Sequence, residues 1–206
     1  MDMGNRDERV NQYYHKEAFQ RKQEAECNID SGTSPQPEKW RGHGPELAGI
    51  KVHGTGMRSV RAKLAIYQST DVDIGEYSSS IVSVEAGSDL AYTLIQAGWT
   101  VNPCLYNDNK VHFFMYQFVD SRFCLDGGCK EFVVQNSGLK FGDVLTPSEV
   151  GYDPQTFLEI YIAQDQTSGD WYLNANSKRI GYWQSGNTTF ESLKEGGTIV
   201  LQWELA

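Results

Sequence analysis

The chain lacks any long apolar run. Nothing in it approaches the roughly 20 consecutive apolar residues of a membrane-crossing helix, so no membrane span is expected. The opening MDMGNRDE has no apolar stretch of the secretory-signal kind, so no signal peptide is read at this start. Clustered basic charge is missing too. The net charge is −9 and the lysines and arginines are scattered, which argues against a nucleic-acid partner. Cysteine is scarce: Cys27, Cys104, Cys124 and Cys129 are too few for a disulfide scaffold. The C-x4-C spacing, with no second pair or nearby histidine, suits zinc poorly. His15, His43, His53 and His112 show no metalloprotease spacing, and no serine-hydrolase elbow, P-loop or dinucleotide fingerprint occurs. Residues 71–76 (DVDIGE) begin like a calcium loop, but the third acidic position is absent and the glycine falls one place early. They read as a solvated turn. Neither a metal nor a cofactor is expected.

What is present points to strands. Aromatics make up 12% of the chain and there are 20 glycines, a mixture that favours strands and turns over long helices. Residues 1–45 are polar and charged, with hints of helix only in 1–27. They have little apolar surface to offset the entropy of ordering, so a poorly ordered N-terminal tail is expected. Beyond Gly49 the texture changes. Residues 60–68 alternate, with Ala62, Leu64 and Ile66 on one side and Arg61 and Lys63 on the other, the pattern of a half-buried strand. Further β-prone runs cover 77–85, 90–101, 110–119, 132–135, 156–163, 171–173, 179–183 and 198–203. Asn102-Pro103 ends the third run, Asn107-Asp108-Asn109 makes the next turn, and NANSK makes a later hairpin loop. Residues 190–194 read as one helical turn. At least eight strands with short turns predict an all-β, antiparallel sandwich or barrel.

The side chains alone leave several choices open. Trp99, Trp171, Tyr172, Tyr182, Trp183 and Trp203 can line a groove or fill a core, and strand alternation sets Tyr182 opposite Trp183. Cys124 and Cys129 flank Leu125-Asp126-Gly127-Gly128, a turn tight enough for a local bridge but equally compatible with two thiols. Cys27 and Cys104 have no evident partners. His112, within an apolar strand, reads as a packed residue. Asn187 opens a glycosylation sequon that matters only in a secreted protein.

Six motifs in order resemble one family. QAGWTVNP at 96–103 followed by LYNDN at 105–109 resembles the "EAGW-x-V-x-P-x-LYGD" segment of the plant neprosin family. The strand at 114–118 resembles the aromatic strand that follows it. Cys124–Cys129 with Phe132-Val133 resembles C-x4-C-x-GFV, with Glu131 in place of glycine. Asp165 with GDWYL at 169–173, IGYW at 180–183 and LQW at 201–203 resemble "D-x-x-x-GNWWL", "VGYWP" and the start of "EWGGE". The likeness runs from about residue 46 to 206. It implies a β-sandwich of two curved sheets, a secreted precursor with an N-terminal activation segment, and a Cys124–Cys129 bridge. It also implies a glutamic endopeptidase that cuts after proline in peptide or protein substrates. There, one carboxylate takes a proton from water while a facing group stabilises the oxyanion. Trp99, Tyr106, Trp183 and Trp203 are the candidate lining of the cleft.

The chain departs from the family at the chemistry. Gln96 stands where the first glutamate falls; an amide cannot act as base but can donate to an oxyanion. The second glutamate would fall on Ala206, so the 46–206 domain reads as cut short. Glu204, on the same strand face as 206, is the nearest replacement, roughly 6–7 Å from the expected depth. The expectation is therefore a neprosin-like glutamic endopeptidase domain, impaired as written. The alternative is a non-catalytic module that grips proline-rich peptide or cell-wall material.

Overall fold

The computed structural model describes residues 47–69, 72–74, 76–87, 92–119, 122–135, 138–148, 155–185 and 188–205. The tail at 1–45 and Asn187 lie outside these residues. Among them, eleven strands are β1 (Leu47–Met57), β2 (Ser59–Ala65), β3 (Ser78–Ala86), β4 (Thr93–Val101), β5 (Val111–Val119), β6 (Arg122–Leu125), β7 (Phe132–Val134), β8 (Phe157–Gln164), β9 (Trp171–Ala175), β10 (Lys178–Trp183) and β11 (Gly197–Leu205). They form two antiparallel sheets. One has six strands in the order β1-β11-β3-β4-β5-β6, and the other has five in the order β2-β8-β9-β10-β7. The all-β sandwich read from the sequence is the fold. No helix among the described residues is long and apolar enough to cross a membrane.

The sheets pack face to face over one apolar core. The six-stranded sheet supplies Val82, Val84, Ile95, Ala97, Trp99, Phe113 and Met115; the five-stranded sheet supplies Leu64, Leu158, Ile160, Ile162, Trp171, Leu173 and Trp183. On each strand these residues recur every second position, as a pleated strand requires. Two of the three core indoles find partners: Trp99 Nε1 donates to the Ala65 carbonyl at 2.9 Å and Trp171 Nε1 to Leu193 at 3.2 Å, while Trp183 Nε1 is buried without one among the described residues. Where one helical turn over 190–194 is expected, Thr188–Leu193 form two short 3-10 pieces that meet at a kink at Phe190.

Local chemistry sets the connections. Asn176 and Ser177 join β9 to β10 with φ of 48° and 63°, the two left-handed residues of a two-residue hairpin turn. Between β4 and β5 the structure adds a one-turn helix, α1 (Pro103–Tyr106), that the sequence reading treated as plain turn. Pro103 pre-sets its first turn, the Asn102 side chain accepts from Leu105 N at 3.0 Å, and Asn107 ends it in the left-handed conformation. Two strands were not expected. In β1, Ala48, Gly49 and Ile50 are all exposed, so no buried face imposes alternation. β6 has only four residues, too few to show a period.

The Cys124–Cys129 bridge implied by the family resemblance is present, and Cys104 departs from the reading. Cys124 and Cys129 form a disulfide with Cα atoms 5.1 Å apart, tying β6 of one sheet to the turn that enters β7 of the other. Cys104, read as lacking a partner, is disulfide-bonded as well.

Candidate functional site

Three central strands of the six-stranded sheet, β3, β4 and β5, are buried along their whole length on both faces. Their inner face is the shared core. Their outer face holds a second cluster of Ile81, Tyr92, Leu94, Phe114, Tyr116 and Phe118, with Tyr106, Phe123 and Leu125 packed beside it. Polar side chains are set among these rings. Strand pairing fixes the rows: Ser79–Thr100–His112, Ile81–Gly98–Phe114, Ser83–Gln96–Tyr116 and Glu85–Leu94–Phe118.

Gln96 lies in the middle strand of the three, 7% exposed. Its amide makes no hydrogen bond to any described residue, and neither amide atom is fully enclosed, so the group reaches the outside of the face. Gly98, next in line on this face, is required by a close backbone approach: a Cβ there would fall 2.0 Å from the Ser80 carbonyl oxygen. The missing side chain leaves the neighbourhood of Gln96 less crowded.

Glu85 is 5% exposed on the same face. Tyr92 donates its hydroxyl proton to Glu85 Oε2 at 2.6 Å. Burial pushes the Glu85 carboxyl above the ordinary carboxylate range. The Tyr92 hydrogen bond, the charge of Lys51, the neighbouring Ser83 hydroxyl and the charge of His53 pull it partway back. Burial likewise raises the Tyr92 and Tyr116 phenols, leaving both neutral donors.

A second polar group sits at the end of the face next to α1. Tyr106 stacks on His112 with ring centres 4.0 Å apart, and its hydroxyl donates to Asp126 Oδ2 at 2.7 Å. Asp126 Oδ1 accepts from Met115 N at 2.9 Å. Burial raises the Asp126 carboxyl against these two bonds and the charge of His112. His112 places one ring nitrogen 2.7 Å from the Gly142 carbonyl and the other 2.7 Å from Asp108 Oδ1. It is a packed, hydrogen-bonded residue, as its sequence setting implied. Burial tends to raise the Asp108 carboxyl, but bonds from His112 and Lys110 N, with the charges of both residues, bring it below its ordinary value. Among the described residues no cluster of three metal-ligating side chains occurs.

The expected site residues converge only in part. Trp183 is fully buried and Trp99 is 3% exposed, both between the sheets, so neither lines a cleft on the Gln96 face. Tyr106 does stand at the rim of the Gln96 face. Trp203 pairs with Ile81, in a row of Gln96's parity. Glu204 pairs with Ser80, which pairs with Trp99, a row of the opposite parity. The β11 residue in the row of Gln96 is Leu201. Glu204 therefore does not occupy a register position facing Gln96. The residue that sequence reasoning passed over is Glu85. Its signal was present: Ile81, Ser83 and Glu85 alternate with Val82 and Val84, which marks a polar face on a strand otherwise read as apolar.

Among solved structures, the chain is similar to CG-16, a homodimeric agglutinin from chicken liver. That likeness has a TM-score of 0.33 and 12% identity, over 79% of this chain and 92% of that one. The family model described as Neprosin matches residues 74–204, more than half of the chain, from the connection just before β3 through Gln96 and the Cys124–Cys129 bridge to β11. With the ordered motifs lying on consecutive strands of one sandwich, this chain belongs to the neprosin family.

Proposed function

We propose that the Gln96 face is a peptide-binding cleft of the glutamic endopeptidase type, and that peptide hydrolysis there is slow. The observation that carries this reading is Gln96 itself, set in the middle of the face with an amide that bonds to no described residue and is not fully enclosed. An amide donor that reaches the outside of the face is free to meet a ligand, and a peptide carbonyl oxygen is a fitting acceptor. Aromatic neighbours such as Tyr116, Phe114 and Tyr106 suit extended, proline-rich peptide, whose shape is largely preset. Slowness follows from what replaces the usual pair. Gln96 donates to an oxyanion but takes no proton from water, and the register position of Glu204 has the opposite parity, so any base must act from a neighbouring strand.

The same features support binding without cleavage as the second reading, since an oxyanion donor also holds a ground-state carbonyl. Family resemblance and the disulfide support a secreted protein. The test is incubation of the full chain with proline-containing peptides at pH 3–7. Cleavage is followed by mass spectrometry and binding by calorimetry. Slow cuts on the carboxyl side of proline fit the first reading, binding alone fits the second, and neither result would remove both.

A further inference from the structure

We infer that Glu85 is the catalytic carboxylate that works with Gln96, in place of a carboxylate from β11. The inference rests on the peptide-cleft reading above. Glu85 and Gln96 lie on adjacent paired strands and on one face, with Ser83 directly opposite Gln96 and Glu85 two residues further on. Such diagonal neighbours stand about 7–8 Å apart at the backbone, within reach of long side chains. Both are more than nine-tenths buried. Their hydrogen-bonding capacities are complementary: Gln96 has an unused donor and Glu85 has an acceptor held in place. Tyr92 fixes Oε2, while Ser83 sits beside the carboxyl without a well-formed hydrogen bond. The other buried acid near the face, Asp126, has both oxygens committed, one to Met115 N and one to Tyr106.

The pair supplies a complete hydrolytic cycle. Glu85, ionised, takes a proton from a water molecule as the water oxygen bonds to the scissile carbonyl carbon. The carbonyl oxygen becomes an oxyanion and accepts from the Gln96 amide. Glu85 then delivers its proton to the leaving nitrogen as the C–N bond breaks, releasing a carboxyl product and an amine and restoring the carboxylate. The base must be ionised, so activity rises with pH through the Glu85 titration. Burial displaces that titration upward; Tyr92, Lys51, Ser83 and His53 oppose it, and Tyr116 acts on Tyr92.

The experiment uses the full chain, a fluorogenic proline-containing peptide, and the same peptide with a reduced, uncleavable bond. Glu85→Gln is expected to lower kcat/KM roughly 10²-fold or more. Its Kd for the uncleavable peptide should stay within about two-fold, well below the tenfold that 1.4 kcal/mol represents. Tyr92→Phe, which removes the bond favouring the ionised carboxyl, is expected to move the acid limb of the pH–rate profile to higher pH with KM unchanged. It reports on Glu85 even if Glu85→Gln does not fold. Glu159→Gln, on the solvent face of β8, controls for loss of a carboxylate. Undiminished cleavage in folded Glu85→Gln, an unmoved limb in Tyr92→Phe, or loss of cleavage in Glu204→Gln alone would each overturn the assignment. A chain that binds but never cuts overturns Glu85 as base and leaves the cleft; one that neither binds nor cuts overturns the cleft itself.

Discussion

The two sheets of this sandwich treat their outer faces differently. On the five-stranded sheet, β8 alternates strictly between buried and more exposed residues. Its outer side carries the polar decoration of a wet face: Arg61 pairs with Glu159 at 2.5 Å, and the Arg179 guanidinium lies 3.9 Å from the Tyr172 ring centre. On the six-stranded sheet, β3, β4 and β5 are buried on both faces, yet their outer face carries Ser79, Ser83, Glu85, Gln96, Thr100 and His112. Burying polar groups costs free energy unless they are paired, and a fold does not require them there. Ser79 and Thr100 pair with each other at 2.7 Å, and His112 has two partners. Ser83 Oγ is enclosed without a well-formed hydrogen bond to a described residue, and Gln96 bonds to none. One sheet is built to meet water, and the other keeps polarity where it is expensive.

The contrast breaks first at the core both sheets share. Trp183→Ala should cost about 3–5 kcal/mol in urea unfolding, because the indole fills the space between the sheets. Tyr182→Ala, one residue earlier and on the wet face, should stay within roughly 0.5 kcal/mol. Were Trp183 a cleft residue, the loss would instead fall on peptide binding. Gly98→Ala forces a methyl against the Ser80 carbonyl and should destabilise by about 1–3 kcal/mol or more by the same measurement. Replacing Cys124 and Cys129 by serine removes the link between β6 and the entry to β7. The short loop it closes implies a loss of roughly 2 kcal/mol in the melt under oxidising conditions.

A fourth test separates the two faces by pH. Glu85 holds its proton more tightly when folded than when unfolded. Its contribution is complete below the ordinary carboxylate pKa and is lost as pH rises towards the raised value. Thermal melts of Glu85→Gln should therefore fall less steeply with rising pH than those of the parent. Asp126 keeps part of the slope, and Asp108, held low, acts in the reverse sense by losing its contribution as pH falls. The smallest effect belongs to the wet sheet: Arg61→Ala should cost below about 1 kcal/mol and matter less at high salt. A larger value would mean that the five-stranded sheet's outer face is more than a solvated surface.

The sequence disclosed the strands that have one wet face or a clear stop. Residues 60–68 and 156–163 alternate because one side meets water, and they became β2 and β8. Asn102-Pro103 stopped β4 where expected. On a strand buried on both faces the alternation of Ser83 and Glu85 with Val82 and Val84 does not say that either face meets water, so β3 read only as β-prone and Glu85 went unnoticed within it. The family motifs located Gln96 and the Cys124–Cys129 bridge. They could not say whether Glu204 shares the face of Gln96. That depends on the register of β11 against β3, between residues more than a hundred positions apart, and one residue of slip reverses the answer. Trp99 and Trp183 show the same limit, since a strand's parity is legible but which parity points inward is decided by the other sheet.

The order of strands also sets a timetable. β11 lies between β1 and β3, so the last described strand must enter between two of the earliest. While a ribosome is still making residues 157–196, β8, β9 and β10 can already pair as neighbouring hairpins. The six-stranded sheet must wait, with the edges of β1 and β3 open to unwanted partners. Loop closure over that distance makes the step slow. Insertion of β11 is therefore the moment at which this protein is committed to its fold, and a chain stalled before residue 197 would be a natural client for chaperones.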